Sequence, residues 1–300
     1  MQSAPIELAS VRAAFNRPER RAPADFVYRE IAARMLERLQ LVRLDPAHVL
    51  DAGCGRGADL GVLQNNYPKA HVLGLDGSHQ LLSRVLKERA AADSSLQRLM
   101  SKWLFSKGTS SNSQMVTGNF GATPFADQSM DLVWSNLALH WHPEPDQVFK
   151  EWRRLLRTNG LLMFSSFGPD SLKEIRTAFD GSLTPHTLPF VDMHDFGDML
   201  VNAGFSTPVM DMEVITLTYE TVDQLLTEVR ALGGNPLATR NKSLTGKLQW
   251  NQMRTRLDGM RAADGRIPLT LEIIYGHAFK PMPKTNKSGE SVIQFIDRRN

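Results

Sequence analysis

The sequence predicts an α/β fold: a mostly parallel sheet with helices on both faces and a helical cap over one end. Three observations lead there. From residue 48 onward, short apolar runs alternate with helical patterns, the signature of strand–helix–strand crossovers. The first of those runs ends in the glycine cluster Gly53-Cys54-Gly55-Arg56-Gly57, which opens a helix. The last two strand-like runs, at 209–219 and 269–279, bracket a helical stretch at 220–266. They read as an antiparallel edge with a cap inserted between them.

Two helices come first, at 7–17 and 24–44. In the second, Phe26, Ile31, Met35, Leu36, Leu39 and Leu41 recur at roughly helical spacing, and Pro46 stops it. Strands follow at 48–51, 70–76, 114–119, 130–136 and 161–166, with helices at 58–66, 80–92 and 146–157 among them. Asn159-Gly160 reads as a left-handed cap closing the 146–157 helix. Further helices are expected at 171–179, at 195–203 before Gly204, at 222–232 before Gly233-Gly234, and at 244–262. The Ser-rich stretch 93–113 reads as a loop insertion, and 283–300 as a flexible tail. The domain organisation is then a helical lid over 1–45, a ligand-binding core over 46–219, a cap insertion over 220–266 and a final strand over 267–282.

With 42% hydrophobic and 22% charged residues over 300 positions, the chain can build a substantial core. The net charge of +3 is spread, and even the tightest basic cluster, Arg17-Pro18-Glu19-Arg20-Arg21, contains an acid. A nucleic-acid binder would show a concentrated basic stripe, so none is expected as partner. Cys54 is the only cysteine, which excludes an internal disulfide and a cysteine-based metal cluster and points to a reducing compartment. Residues 1–10 lack a signal-peptide pattern, and residues 11–21 are not acid-free as a transit segment would be. No apolar run reaches about 18 residues. The expectation is a cytoplasmic protein with neither metal nor membrane partner.

The run Val49-Leu50-Asp51-Ala52-Gly53-Cys54-Gly55-Arg56-Gly57 turns a strand sharply into a helix whose free N–H groups suit an anionic or carboxylate-bearing ligand. Alone it is a weak signal, shared by nicotinamide sites and plain tight turns. Two acids discriminate. Asp51 ends the strand just ahead of the glycines, where it would repel a pyrophosphate but accept a bond from an ammonium group. Asp76 ends the second strand about 20 residues after Gly57, where a carboxylate can accept bonds from both ribose hydroxyls. Asp76 can also be a simple helix-start residue, with Ser78 as the cap.

These residues resemble motif I and the ribose-binding acidic motif, Leu75-Asp76-Gly77-Ser78, of class I S-adenosylmethionine-dependent methyltransferases. That resemblance implies a Rossmann-like seven-stranded sheet and S-adenosylmethionine as cofactor. Gly118-Asn119-Phe120 is similar to the turn that holds the adenine. That family often has Asp where Asn119 stands, and Asn still offers a carbonyl to the adenine amine, although Asn is also common in plain turns. Asp131-Leu132-Val133-Trp134-Ser135-Asn136-Leu137 is similar to the fourth strand, which would bring Asn136 near the methionine moiety. The implied cofactor residues are Asp51, Gly53, Gly55, Gly57, Asp76, Gly77, Ser78, Asn119, Phe120 and Asn136. Cys54 reads as a small buried filler.

The likeness extends over nearly the whole chain. Val11–Arg17, Trp134–Trp141, Phe164–Leu172, Leu232–Asn235 and Leu269–Gly276 resemble bacterial malonyl-acyl-carrier-protein O-methyltransferases, the BioC-type enzymes of biotin synthesis. That family often carries a Tyr shortly after its opening Phe. Here 18–24 holds no aromatic, and Phe26 or Tyr28 is left to supply the contact. The resemblance implies methyl transfer to the free carboxylate of a malonyl thioester on acyl carrier protein. A carboxylate is ionised at neutral pH, so no catalytic base is assigned. His140 and Trp141 are the candidate substrate-binding residues, with His140 as a base the rival reading. Arg153, Arg154, Arg157, Lys173, Arg176, Arg230 and Arg240 form either a rim for an acidic carrier protein or an ordinary solvated face. Other readings stay open: the related complex I assembly factors that hydroxylate an arginine, another small-molecule methyltransferase, or a non-catalytic scaffold that holds the cofactor.

Overall fold

The computed structural model describes residues 5–87, 114–182, 184–240 and 246–283. The expected insertion at 93–113 and the tail at 284–300 lie outside them. The element order is α1 (Leu8–Phe15), α2 (Asp25–Gln40), β1 (His48–Ala52), α3 (Ala58–Asn66), β2 (His71–Asp76) and α4, described over 79–87. Then come β3 (Gln114–Thr117), β4 (Met130–Ser135), a 3-10 turn at Leu139–Trp141, α5 (Pro145–Leu155), β5 (Leu156–Phe167), α6 (Lys173–Ala178) and α7 (Met193–Asn202). The chain continues through β6 (Ser206–Tyr219), α8 (Val222–Ala231), α9 (Lys247–Asp258) and β7 (Ile267–Phe279).

The seven strands form one sheet in the order β3-β2-β1-β4-β5-β7-β6. The first five pair in parallel, and β7 runs antiparallel between β5 and β6. The predicted sheet, with its antiparallel edge, is the one observed. Successive strand residues point to opposite faces, so a strand buried on both sides reads as a continuous apolar run. Val49, Leu132, Leu161 and Ile273 join one core with α2, α3, α6, α8 and α9. Leu50, Val133, Leu162 and Ile274, one residue on, join the other core with α5 and α7.

Asn159-Gly160 corrects the sequence reading. Asn159 is left-handed (φ 63°), but α5 has already ended at Leu155 and the residue lies inside β5. Between Leu156, opposite Met130, and Leu161, opposite Leu132, the strand bulges. There the Asn159 N–H donates to the Lys280 carbonyl (2.8 Å), and the Lys280 N–H donates to the Gly160 carbonyl (2.9 Å).

One asymmetry positions the site. β5 ends at Phe167, opposite Ile273, while β7 continues back to Ile267 and pairs there with Tyr219 of β6. The β6–β7 hairpin therefore overshoots the sheet at the C-terminal ends of the parallel strands and carries α8 and α9 on its tip. Glu174 of α6 locks that overshoot, accepting from the Thr270 N–H (2.9 Å) and hydroxyl (2.6 Å). Ser171 Oγ donates to the Glu272 carbonyl (2.9 Å) and accepts from the Glu272 N–H (3.0 Å). Among the described residues no helix is long and apolar enough to cross a membrane.

Candidate functional site

The strand order reverses between β1 and β4, and in such sheets ligands bind in the crevice outside the strand ends at that point. A cavity of about 560 Å³ lies there. Asp51, Gly53, Gly55, Gly57, Asp76, Gly77, Ser78, Asn119, Phe120, Asn136 and Trp141 all line it.

Its floor is the β1–α3 turn. Gly53, Gly55 and Gly57 have φ of 85°, 52° and 72°, a region L side chains resist. At Gly53 space forbids a side chain as well: a Cβ would lie 2.3 Å from the Ala138 Cβ. The turn is stitched to β2, with Gly53 and Cys54 N–H donating to the Leu75 carbonyl (2.7 and 3.1 Å). Asp76 accepts from the Gly55 N–H (3.0 Å) and the Ser78 N–H (2.8 Å), so its carboxylate is held at the cavity edge. Ser78 caps α4, accepting from the Leu81 N–H (3.1 Å), which leaves the Asp76 carboxylate at the cavity edge. Asn119 accepts from the Gly121 N–H (2.9 Å), and its oxygen keeps a second lone pair.

Three buried acids give the floor its character. Asp59 accepts from the Trp134 indole N–H at 2.9 Å. Asp51 is 2% exposed, and its Oδ2 has no hydrogen-bond partner. Burial raises the pKa of all three, Asp51 well above its usual value because Asp59 and Asp76 add repulsion. Such a carboxylate is ionised at low cost only beside a cation.

The lid carries the opposite charge. α1 contributes Leu8, Val11, Arg12 and Phe15 to the cavity lining, and its lead-in is tied down by Glu7 N–H to the Pro236 carbonyl (3.1 Å) and Ala238 N–H to the Pro5 carbonyl (2.8 Å). Ser78 Oγ donates to Asn16 Oδ1 at 2.5 Å. Arg21 lies over the Phe15 ring, 3.7 Å from its centroid, and donates to the Tyr28 hydroxyl, while its Nη1 is buried without a partner. Asn136 joins lid to sheet: its amide donates to the Tyr28 carbonyl (2.9 Å) and its oxygen accepts from Ser165 Oγ (3.0 Å). Of the two aromatics considered for this region, Tyr28 lines the cavity, whereas Phe26 is 40% exposed.

Residues 50–164 match the methyltransferase-domain family, spanning β1 through most of β5. The malonyl-acyl-carrier-protein O-methyltransferase of Gallionella capsiferriformans is 42% identical over 96% of this chain and 96% of its own length. The chain belongs to the malonyl-acyl-carrier-protein O-methyltransferase family. The enzyme of the same name from Laribacter hongkongensis is 41% identical over 95% of this chain and 94% of its own. A candidate methyltransferase structure from Bacillus halodurans shares the fold, with a TM-score of 0.54 at 18% identity over 84% of this chain and 99% of that one. As a member of this O-methyltransferase family the chain uses S-adenosylmethionine as cofactor.

In this O-methyltransferase, Trp141 meets the cavity and His140 lies behind it. Rings of Trp141, Phe167 and Phe190 surround the imidazole at centroid distances of 4.8, 4.9 and 5.7 Å. Neither ring nitrogen has a partner, and burial, with the nearby Arg21 charge, lowers its pKa to about 3. The expected basic rim divides. Arg153, Arg154 and Arg157 sit at the N-terminal ends of the parallel strands, away from the cavity, held by the Gly204 carbonyl, by Asp127 and Glu151, and by Asp131. Arg176 donates to the Ser171 and Pro169 carbonyls (both 2.6 Å), and Lys173 pairs with Asp170 at 3.4 Å. Arg21 was legible only as part of a charge cluster. The one signal for it was the missing aromatic between the two lid helices.

Proposed function

We propose that the chain transfers the methyl group of S-adenosylmethionine to the free carboxylate of a malonyl thioester on acyl carrier protein, giving the methyl ester, an early step of biotin synthesis. The observation that carries this reading is end-to-end likeness, at 42% identity, to an enzyme named for that reaction.

The cavity chemistry fits the donor. Its ammonium answers the unpartnered, buried Asp51 carboxylate, and Asp76 suits the ribose hydroxyls. Gly77, Ser78, Asn119 and Phe120 line the part of the cavity beyond Asp76 and suit the adenine, while the bare Gly53–Gly55 backbone admits the methionine end close to Asn136. The bound donor supplies an electrophilic methyl group on a sulfonium, which needs no activation. The Arg21 guanidinium, with its free Nη1, orients the acceptor carboxylate. The bound donor would pass its methyl group to one carboxylate oxygen and leave as the neutral thioether, and because that acceptor is already ionised no residue of the chain has to move a proton. His140 does not line the cavity, and burial lowers its pKa to about 3, which leaves it too weak a base to serve the reaction. Trp141 and Phe15, edge to face at 5.6 Å, exclude water from the path.

The test is incubation with methyl-labelled cofactor and malonyl-, acetyl- and succinyl-carrier protein. Base-labile label on the malonyl form is expected. Label on the acetyl form, or on none, would overturn the assignment.

A further inference from the structure

A second cavity, of about 200 Å³, lies among α6, α8, α9 and the loop at 186–190. It shares one wall residue, Trp141, with the cofactor cavity. Phe167, Ile175, Leu226, Val229 and Trp250 make its lining apolar, and the exposed Arg230 stands over the Trp250 ring at 5.7 Å. We propose that this cavity receives the pantetheine arm of the thioester substrate, with Trp141 marking where the acyl end passes into the cofactor cavity and Arg230 meeting the phosphodiester at the outer end. The inference rests on the proposed function and adds a binding site to it.

Three features favour this occupant. The reacting carboxylate must lie beside the donor, yet the rest of a carrier-bound thioester has to leave the site. The lid covers one way out, because the lead-in to α1 is bonded to Pro236 and Ala238. Trp141, the one residue that lines both cavities, is where they come closest, and rotation of its ring is what would join them. The second cavity is apolar along most of its wall, with Thr187 and Asn235 as polar points, which suits an extended chain of methylenes and dimethyl carbon interrupted by amides. Its solvent end carries a guanidinium, the group that matches phosphate oxygens in pairs. The neighbouring acid Asp223 is already engaged by Arg254 at 2.5 and 2.9 Å, which leaves the mouth electropositive.

The experiment compares malonyl-carrier protein with a short malonyl thioester of N-acetylcysteamine, using wild type, Val229→Trp and Arg230→Glu. Val229→Trp fills the cavity, and Arg230→Glu reverses charge at an exposed position where folding is not at risk. Both variants are expected to raise KM for malonyl-carrier protein by about tenfold or more while leaving cofactor Kd and turnover of the short thioester near wild type. Unchanged KM for the carrier-linked substrate in Arg230→Glu and in folded Val229→Trp would overturn the proposal, and so would equal losses with both thioesters. Failure of the wild type to methylate either thioester would instead strike the proposed function.

Discussion

Trp141 packs against Gly233 with the benzo edge of its indole: a Cβ built on that glycine would lie 2.3 Å from the indole Cη2 and 2.4 Å from Cζ2. The glycine also has φ of 131°, so both space and backbone demand the absence of a side chain. Gly233→Ala is expected to push Trp141 out of place and cost about 1–3 kcal/mol of stability. Gly233 lines neither cavity, so cofactor Kd is expected to hold while kcat/KM for the malonyl thioester falls. Denaturant unfolding, calorimetry and steady-state kinetics measure the three quantities, and an unperturbed kcat/KM contradicts the account.

Asp51→Asn separates stability from function. An ionised Asp51 opposes folding of the free protein, because burial and the neighbouring acids favour its neutral form. The amide is expected to stabilise the free protein by about 1 kcal/mol at neutral pH and to weaken S-adenosylmethionine by about tenfold or more. Thermal melts with and without cofactor test both. A variant that binds the cofactor normally removes Asp51 from the site.

Cofactor binding is expected to release protons. Asp51 meets an ammonium group only when ionised, yet its pKa is raised in the free protein. Affinity therefore strengthens as pH rises through that raised value. Asp51, Asp59 and Asp76 interact, so the release belongs to the group of acids. Titration calorimetry in two buffers of different ionisation enthalpy reads it directly, and identical heats in both speak against it.

Arg21→Met is expected to raise KM for the malonyl thioester about tenfold or more, through loss of a charge-assisted pair. Arg21→Lys restores the charge but not the planar fork and is expected to recover part of that loss. Because Arg21 also lies near Asp76, cofactor Kd must be measured in parallel. A change confined to Kd would move Arg21 to the cofactor end.

His140 is expected to destabilise the fold in acid. Its folded pKa of about 3 lies below the ordinary 6.5, so the unfolded chain takes up a proton that the native state refuses. The native contribution is complete above pH 6.5 and is lost as pH falls from there toward 3, by about 1.4 kcal/mol per unit. Other groups titrate in the same range, so the readout is the difference between wild type and His140→Phe. A stability difference that does not change with pH would mean the imidazole is solvated.

The cofactor floor was legible because it is local. A strand that must bend within five residues, Gly53 to Gly57, demands glycine, and the acids on either side sit at strand ends fixed by the same alternation. The lid was legible as a pair of helices, but not in its contacts. Arg21 and Tyr28 reach the cavity while touching Phe15 and Leu232, Asn16 ties the lid to Ser78, and no short-range period encodes those contacts. His140 and Trp141 are adjacent, so sequence could not tell which ring would face the ligand. Asn159 shows the limit of a local signal: the left-handed residue was recognised, but a bulge uses the same backbone region as a helix cap.

The position of β7 has a consequence for how the molecule is made. The cofactor floor is complete once β4 has left the ribosome, but β5 and β6 can reach each other only through a strand that begins at Ile267. Until that strand emerges, β5 presents an unpaired apolar edge, the kind of surface that nascent chains protect with chaperones. A stop codon after β4 but before Ile267 therefore leaves a chain that carries every strand of the cofactor floor but lacks the strand that anchors the hairpin and its cap.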